Sequence, residues 1–464
     1  MIRKGVLLTI IILSMLLTSV GLYHFFNSGE DPLSINENPF KTHEVYPDVL
    51  PEISGTKYYF SSSEMMDGDG LSPETPSNDF SDLWSWDIQP GDAILLQAGA
   101  VFTENIYFEW SGTPEKPIVI AAYWSEGSNL PNKPVFQGNH SSYGGIMVEG
   151  AYVSIYNVEV RGWITGIDFL SSSSHSSVQY SYITDNIMGV AVGGNNHLVS
   201  HNTIKENQVM MEDTPGGDDD YGAQGVLLSG NYCEVAYNYF EANIAPSDDY
   251  GYDGSAVEVY QGSHNYIHHN FATNGEVFTE LGQQSEELLT VNNTFEYNII
   301  VNERHNSLFV QHCTSHFGPV YESSFRKNIF LFESKAPEYY GPVIGLVAPE
   351  APFSNLSYYT ATENLLFSSY HPIGNYEHLE PYISYFSASN GHLYGNTYYL
   401  SLELTNLDHI DQDSTELFTT GTSLFEGNKL ETVDSFEPYQ LDLKLNPQLV
   451  LDQSLFYQFF NHYY

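Results

Sequence analysis

Short apolar segments alternate with polar punctuation from residue 57 to residue 400. "GIMVEGAYVSIYNVEVRG", "MGVAVGGNNHLVSHNTI" and "GVLLSGNYCEVAYNYF" each contain two or three such segments, separated by Gly, Asn, Ser or Asp. Their β-branched and aromatic residues alternate with polar ones, and no stretch carries a helical period. Short strands with turns between them are the predicted elements. A small motif marks their recurrence: Asn or Ser followed by two mostly apolar residues. It stands at Asn157, Ser181, Asn202, Asn238, Asn270, Asn298, Asn328, Asn364 and Asn396, with successive steps of 24, 21, 36, 32, 28, 30, 36 and 32. The shortest steps define a minimal unit, and the longer ones predict loops inserted into it. One such unit cannot bury its own apolar face, whereas units stacked edge to edge build a continuous core. Equivalent residues of successive units then lie about 4.8 Å apart, with an Asn stack at one turn. Steps this irregular disfavour a left-handed helix of hexapeptides.

The stacked Asn-led coils resemble the right-handed parallel β-helices of the pectate-lyase-like superfamily. The entrance strengthens the likeness. "PGDAILLQAGAVF" and "SGTPEKPIVIAAY", within Lys57–Tyr123, are similar to the N-terminal segment of many secreted β-helix polysaccharide lyases and glycosidases. The resemblance spans residues 57–400. It implies an all-β fold, a right-handed parallel β-helix, and a carbohydrate-active protein whose partner is a polysaccharide or other glycan. It does not choose a chemistry, because one scaffold hosts several.

The flanks divide the chain further. Arg3 and Lys4 precede an uncharged run, Gly5–Tyr23. Basic residues ahead of an apolar run predict export of the downstream chain, with an uncleaved anchor favoured over a removed signal peptide. The expected organisation is a signal or anchor over 1–26, a linker over 27–56, the β-helix over 57–400 and a C-terminal extension over 401–464 that caps the solenoid. The protein is then extracellular or held at the cell surface, and touches membrane only through residues 1–26. It is expected to be a monomer.

Charge removes some partners. With 58 Asp plus Glu against 14 Lys plus Arg, the formal net charge is −44. Such a surface repels nucleic acid and anionic lipid, and an anionic polysaccharide would need bridging cations. Two cysteines in different repeats make no disulfide framework.

The candidate chemistry centres on two glutamates inside strand-like segments: Glu258 in Ala-Val-Glu-Val-Tyr and Glu280 in Val-Phe-Thr-Glu-Leu. They are 22 residues apart, close to one minimal coil, so they are expected to stack on adjacent rungs. Alternation points Glu258 outward; for Glu280 the facing stays open, because Thr279 competes for the core side. Carboxylates on adjacent rungs stand about 5 Å apart, the spacing retaining glycosidases use. Glu258 and Glu280, with Asp253, are the catalytic candidates. Two acid-rich inserts, Glu212–Gly225 and Ala245–Gly254, leave consecutive coils and are expected to wall a groove over them. Asp219, Asp220, Asp248 and Asp249, beside Asp218, are candidate Ca²⁺ ligands, although no EF-hand spacing is present. Tyr250, Tyr260, His268 and Arg304 are candidate substrate contacts. The histidines His264, His268 and His269 fit no zinc pattern and suit stacked turn positions better.

Three function classes stay open on the residues alone. A glycoside hydrolase needs only the paired carboxylates and the groove, and ranks first. A Ca²⁺-dependent polysaccharide lyase needs a base and a cation, and none of Arg161, Lys205, Arg304, Arg326 and Lys327 lies in a lyase motif. A non-catalytic glycan binder or adhesin would use the same groove without chemistry.

Overall fold

The computed structural model describes residues 52–63, 68–124, 133–212, 214–216, 219–249, 251–284, 288–302, 309–312 and 317–332. It also describes strand segments at 344–347, 359–368, 373–375, 391–401 and 429–433. The expected ends, residues 1–26, most of the linker and most of 401–464, lie outside these. Among the described residues no helix is long and apolar enough to cross a membrane.

Among the described residues, three parallel sheets run along the solenoid: sheet A with twelve strands, sheet B with twelve and sheet C with ten. Each coil visits A, B and C in turn. Glu234–Ala236 lies in A, Tyr239–Glu241 in B and Ser255–Tyr260 in C; Tyr266–His268 then pairs in parallel beside Glu234–Ala236. Inward rows make the core. Along sheet A, Ile155, Val178, Val199, Val235, Ile267, Phe295 and Phe325 are register partners, and all are essentially fully buried. No coil could bury such a row alone, so stacking is what makes each one stable.

The Asn stack is the corner between sheets A and B. Asn202, Asn238, Asn270, Asn298, Asn328, Asn364 and Asn396 are all 0% exposed. The Oδ1 of Asn270 accepts the backbone N–H of Asn238 at 3.0 Å and its Nδ2–H at 3.1 Å, and Asn270 donates in the same way to Asn298. Each amide thereby satisfies a backbone group that the turn would leave orphaned. The expected first member needs correcting: Val158, not Asn157, occupies the ladder position, and its N–H is accepted by Ser181 Oγ at 3.3 Å. Asn157 stands one residue earlier, in the left-handed conformation at φ 61°, which Asn tolerates better than most residues.

The same left-handed position in later coils holds Tyr180, His201, Tyr237, His269 and Tyr297. Their rings stack in succession at 4.9–5.1 Å between centroids. Turn stacking is therefore the role of His269, and His264 does likewise on Tyr232 at 4.9 Å. Cys233 is a buried free thiol; Cys313 lies outside the described residues. After residue 400, Lys429–Val433 still adds in parallel to Thr397–Ser401, so sheet B extends into the C-terminal segment.

Both acid-rich inserts form short antiparallel hairpins between sheets B and C. In the first, Met210–Glu212 pairs with Tyr221–Gly222; in the second, Ala245–Ser247 pairs with Gly251–Asp253. The backbone N–H of Asp219 donates to Asp249 at 3.1 Å, and that of Asp249 to Asp220 at 3.3 Å. The hairpins therefore stand side by side where the chain enters the middle strands of sheet C.

Candidate functional site

Ser255–Tyr260 turns Val257 and Val259 into the core and leaves Glu258 and Tyr260 on the outer face. Val277–Gly282 does the same with Thr279 and Leu281, both 0% exposed, so Glu280 also points outward. Glu258 and Glu280 are direct register partners across this parallel pair. One rung of a sheet, about 4.8 Å, separates their backbones. The facing that alternation left open is decided by packing: Thr279 lies opposite Val257, inside.

Asp253 reaches the pair from the last residue of the second hairpin, and its Oδ1 accepts the Gly254 N–H at 2.6 Å. Three acids now share one small region beneath the hairpins. Burial first, then the charge of Glu280, push the Asp253 carboxyl up to about 8. Burial also lifts Glu258 well above the carboxylate range; the charges of Glu280 and Asp253 add to this, and the hydrogen bond from Gln224 opposes it. Gln224 Nε2–H donates to Glu258 Oε2. Burial and neighbouring negative charge thus act together, and both Asp253 and Glu258 hold their protons more tightly than ordinary carboxyls.

Glu280 has a different neighbour: His312 Nε2 lies 2.6 Å from its Oε1. His312 Nδ1 is buried without a partner among the described residues, so the ring meets the pair through Nε2 alone. Tyr260 faces Gly282 across the same two strands, where a Cβ would come 3.2 Å from the Tyr260 ring. The missing side chain gives the ring room over the next rung. Phe317 closes this side, 6.5 Å from Tyr260 and 5.7 Å from His312 by ring centroids.

Of the metal-ligand candidates, Asp219, Asp220 and Asp249 converge, each offering an oxygen within 4.8 Å of the others. Asp220 Oδ1 and Asp249 Oδ1 are buried with no hydrogen-bond partner among the described residues. All-oxygen donors of this kind suit Ca²⁺ with water filling the remaining positions. Asp248 is exposed and outside the group; Asp218, Tyr250 and Arg304 lie outside the described residues. His268 is not brought to the carboxylates. It ends a sheet A strand, bonded to Glu234 at 2.9 Å and His269 at 2.7 Å.

No protein-family model and no curated sequence matches the chain. Solved structures do. An alginate lyase from Paenibacillus sp. strain FPU-7 is 13% identical, covering 76% of this chain and 94% of its own, with TM-score 0.36. The GH136 lacto-N-biosidase from Eubacterium ramulus is 14% identical, covering 82% and 68%, with TM-score 0.49. Pectate lyase Pel9A is 15% identical, covering 75% and 76%, with TM-score 0.41. The chain is a right-handed parallel β-helix.

On this β-helix, charge segregates by sheet. Arg161 and Lys205 lie on sheet B and Arg326 on sheet A, each beside a glutamate: Glu159, Glu206 and Glu296 respectively. Among the described residues no Lys or Arg falls on a strand of sheet C. Sequence reasoning missed His312, Gln224 and Phe317. His312 could have been found by following the ladder: Glu280 pairs with Val310, and two residues on returns to the same face. Gln224 carried no comparable signal, since its side chain crosses from an earlier rung to reach Glu258.

Proposed function

We propose that the protein is a retaining glycoside hydrolase acting on a glycan outside the cell, in the groove along sheet C. The observation that carries this reading is the register pairing of Glu258 with Glu280 on the outer face, one enclosed with its proton affinity raised, the other beside a histidine. Glu258 gives its proton to the glycosidic oxygen as the C–O bond breaks. Glu280 attacks the anomeric carbon and forms a glycosyl ester. Glu258, now a carboxylate, takes a proton from water, which adds to the anomeric carbon and releases Glu280. His312 orients Glu280, Gln224 holds Glu258, and Tyr260 and Phe317 offer apolar ring faces to a sugar. Asp253 carries a second proton beside the pair and limits the negative charge there.

The Asp219–Asp220–Asp249 group favours a second reading, a Ca²⁺-dependent lyase. That chemistry needs a base near the cation, and the described part of sheet C supplies carboxylates in place of a Lys or Arg. Ca²⁺ at this group instead suits a hydrolase as a clamp between the two hairpins, holding Asp253 over the pair.

The test is hydrolysis by the full chain across a polysaccharide panel, with new reducing ends and unsaturated products measured separately. Reducing ends with retained anomeric configuration are expected. Glu258→Gln and Glu280→Gln should each lower kcat by about 10³-fold or more. Unsaturated products, or undiminished turnover in both variants, would refute the assignment.

A further inference from the structure

The outward row that holds Glu258 continues far beyond it. Tyr107 is the register partner of Met147, Met147 of Asp168, Asp168 of Ala191, Ala191 of Leu227, and Leu227 of Glu258. Tyr107 therefore sits on the same face, five rungs or about 24 Å from the carboxylates, a span of several pyranose rings.

Aromatic side chains mark that path. Trp84, 55% exposed, lies 6.5 Å from Tyr107 with the ring planes within 15°, and Trp110 packs 5.0 Å from Trp84. The Tyr107 hydroxyl is held by Glu149. Trp84 rides on the short 3₁₀ turn Phe80–Ser85, whose Phe80 and Leu83 are anchored in the core. Beside these rings is a cavity of about 430 Å³ with Asp79, Glu104, Asn105 and Ser142 on its walls. Midway to the carboxylates, Tyr143 is 57% exposed and bonds Asp168. Tyr221 of the first hairpin is also exposed there.

Near-parallel indole and phenol faces rimmed by acceptors match one ligand class. The C–H face of a pyranose is apolar and stacks on such rings, while its hydroxyls donate to carboxylate and amide oxygens. From Asp168 on to Glu258 the row holds only Ala191 and Leu227, both uncharged and partly exposed.

We propose that Trp84 and Tyr107 form a distal sugar-binding platform that holds the same glycan chain whose bond lies over Glu258 and Glu280. The substrate is then an extended polymer lying along the helix axis, engaged at the Tyr107 end of the face and again over the carboxylates. This deepens the hydrolase reading and rests on it for the identity of the chain, although the platform can be measured without turnover.

Affinity electrophoresis of the full-length Glu258→Gln protein tests it, in gels containing xyloglucan, galactomannan, mixed-linkage β-glucan, arabinoxylan, polygalacturonate or alginate. The polysaccharide that the wild type cleaves should retard Glu258→Gln. Adding Trp84→Ala or Tyr107→Ala should weaken that retardation about tenfold. Adding Tyr232→Ala, which removes a 60% exposed ring at a different corner, should leave it unchanged. Cleavage of a glycan that binds equally well without Trp84 overturns the platform and leaves the carboxylate reading standing. Binding that needs Trp84, with no cleavage of anything, refutes the carboxylates and keeps the platform. Retardation by no polysaccharide overturns both.

Discussion

Replacing Asp253 by Asn should stabilise the protein by an amount that grows as pH rises from about 4 to about 8. The Asp253 carboxyl has its affinity for protons raised to about 8 in the folded chain, by burial and by Glu280. In the unfolded chain the same group titrates near 3.9. Below about pH 4 both states hold the proton and the group favours neither. Between about pH 4 and 8 the unfolded state releases its proton while the folded state keeps it, so folding stability falls as pH rises; above about 8 the penalty is complete. The full span is worth roughly 5 kcal/mol, shared with the coupled Glu258 and Glu280. Asn keeps an oxygen for the Gly254 N–H and cannot ionise. With an unfolding entropy of about 2.1 cal/mol/K per residue over residues 57–400, the expected gain is about 4–7 °C in Tm at pH 8 and close to zero at pH 4. Thermal melts of both proteins across that range, read as a difference, cancel the titrating groups that are not coupled to Asp253. A difference that does not change with pH, or one that favours the wild type at pH 8, would sink the picture of a buried, proton-holding acid cluster.

Three further outcomes are expected from the same geometry. His312→Ala should lower kcat by about 10–100-fold with little change in KM, because it positions Glu280 and does not bind sugar; an unchanged kcat would remove it from the site. Asn298→Ala should cost about 2–4 kcal/mol in urea unfolding, because Asn270 loses its acceptor and the N–H of Asn298 alone still reaches Asn328. A cost near zero would mean that the ladder is decorative. Chelation should lower the Tm of the wild type, by an amount set by about 2.7 kcal/mol at a hundredfold excess of Ca²⁺ over Kd. Asp220→Asn should lose that response, and a chelator effect that survives it would place the ion elsewhere.

The solenoid was legible in the chain because its determinants are local and repeated. Asn202 through Asn396 recur where each turn leaves backbone groups unpaired, and the period-two alternation around Val257 and Val259 exposes which face is core. The glutamate spacing of 22 was equally informative, since register converts a sequence interval into a distance. Where a single residue decides between neighbours, the chain was silent. Asn157 looks like a ladder member and is its left-handed neighbour, because Asn serves both positions. His268 looks like its neighbour His269, yet one strand position sends it onto sheet A.

Tertiary structure alone settled what surrounds the carboxylates. Thr279 competes with Glu280 for the inside until Val257 is packed opposite it. Gln224 and His312 reach the pair from neighbouring strands of sheet C, whereas the approach of Asp253 depends on how the second hairpin folds back. The path from Glu258 to Tyr107 likewise emerges only when six strands are laid side by side. A repeat period is written in each coil separately, whereas the protonation state of an acid is the sum of every group folded against it.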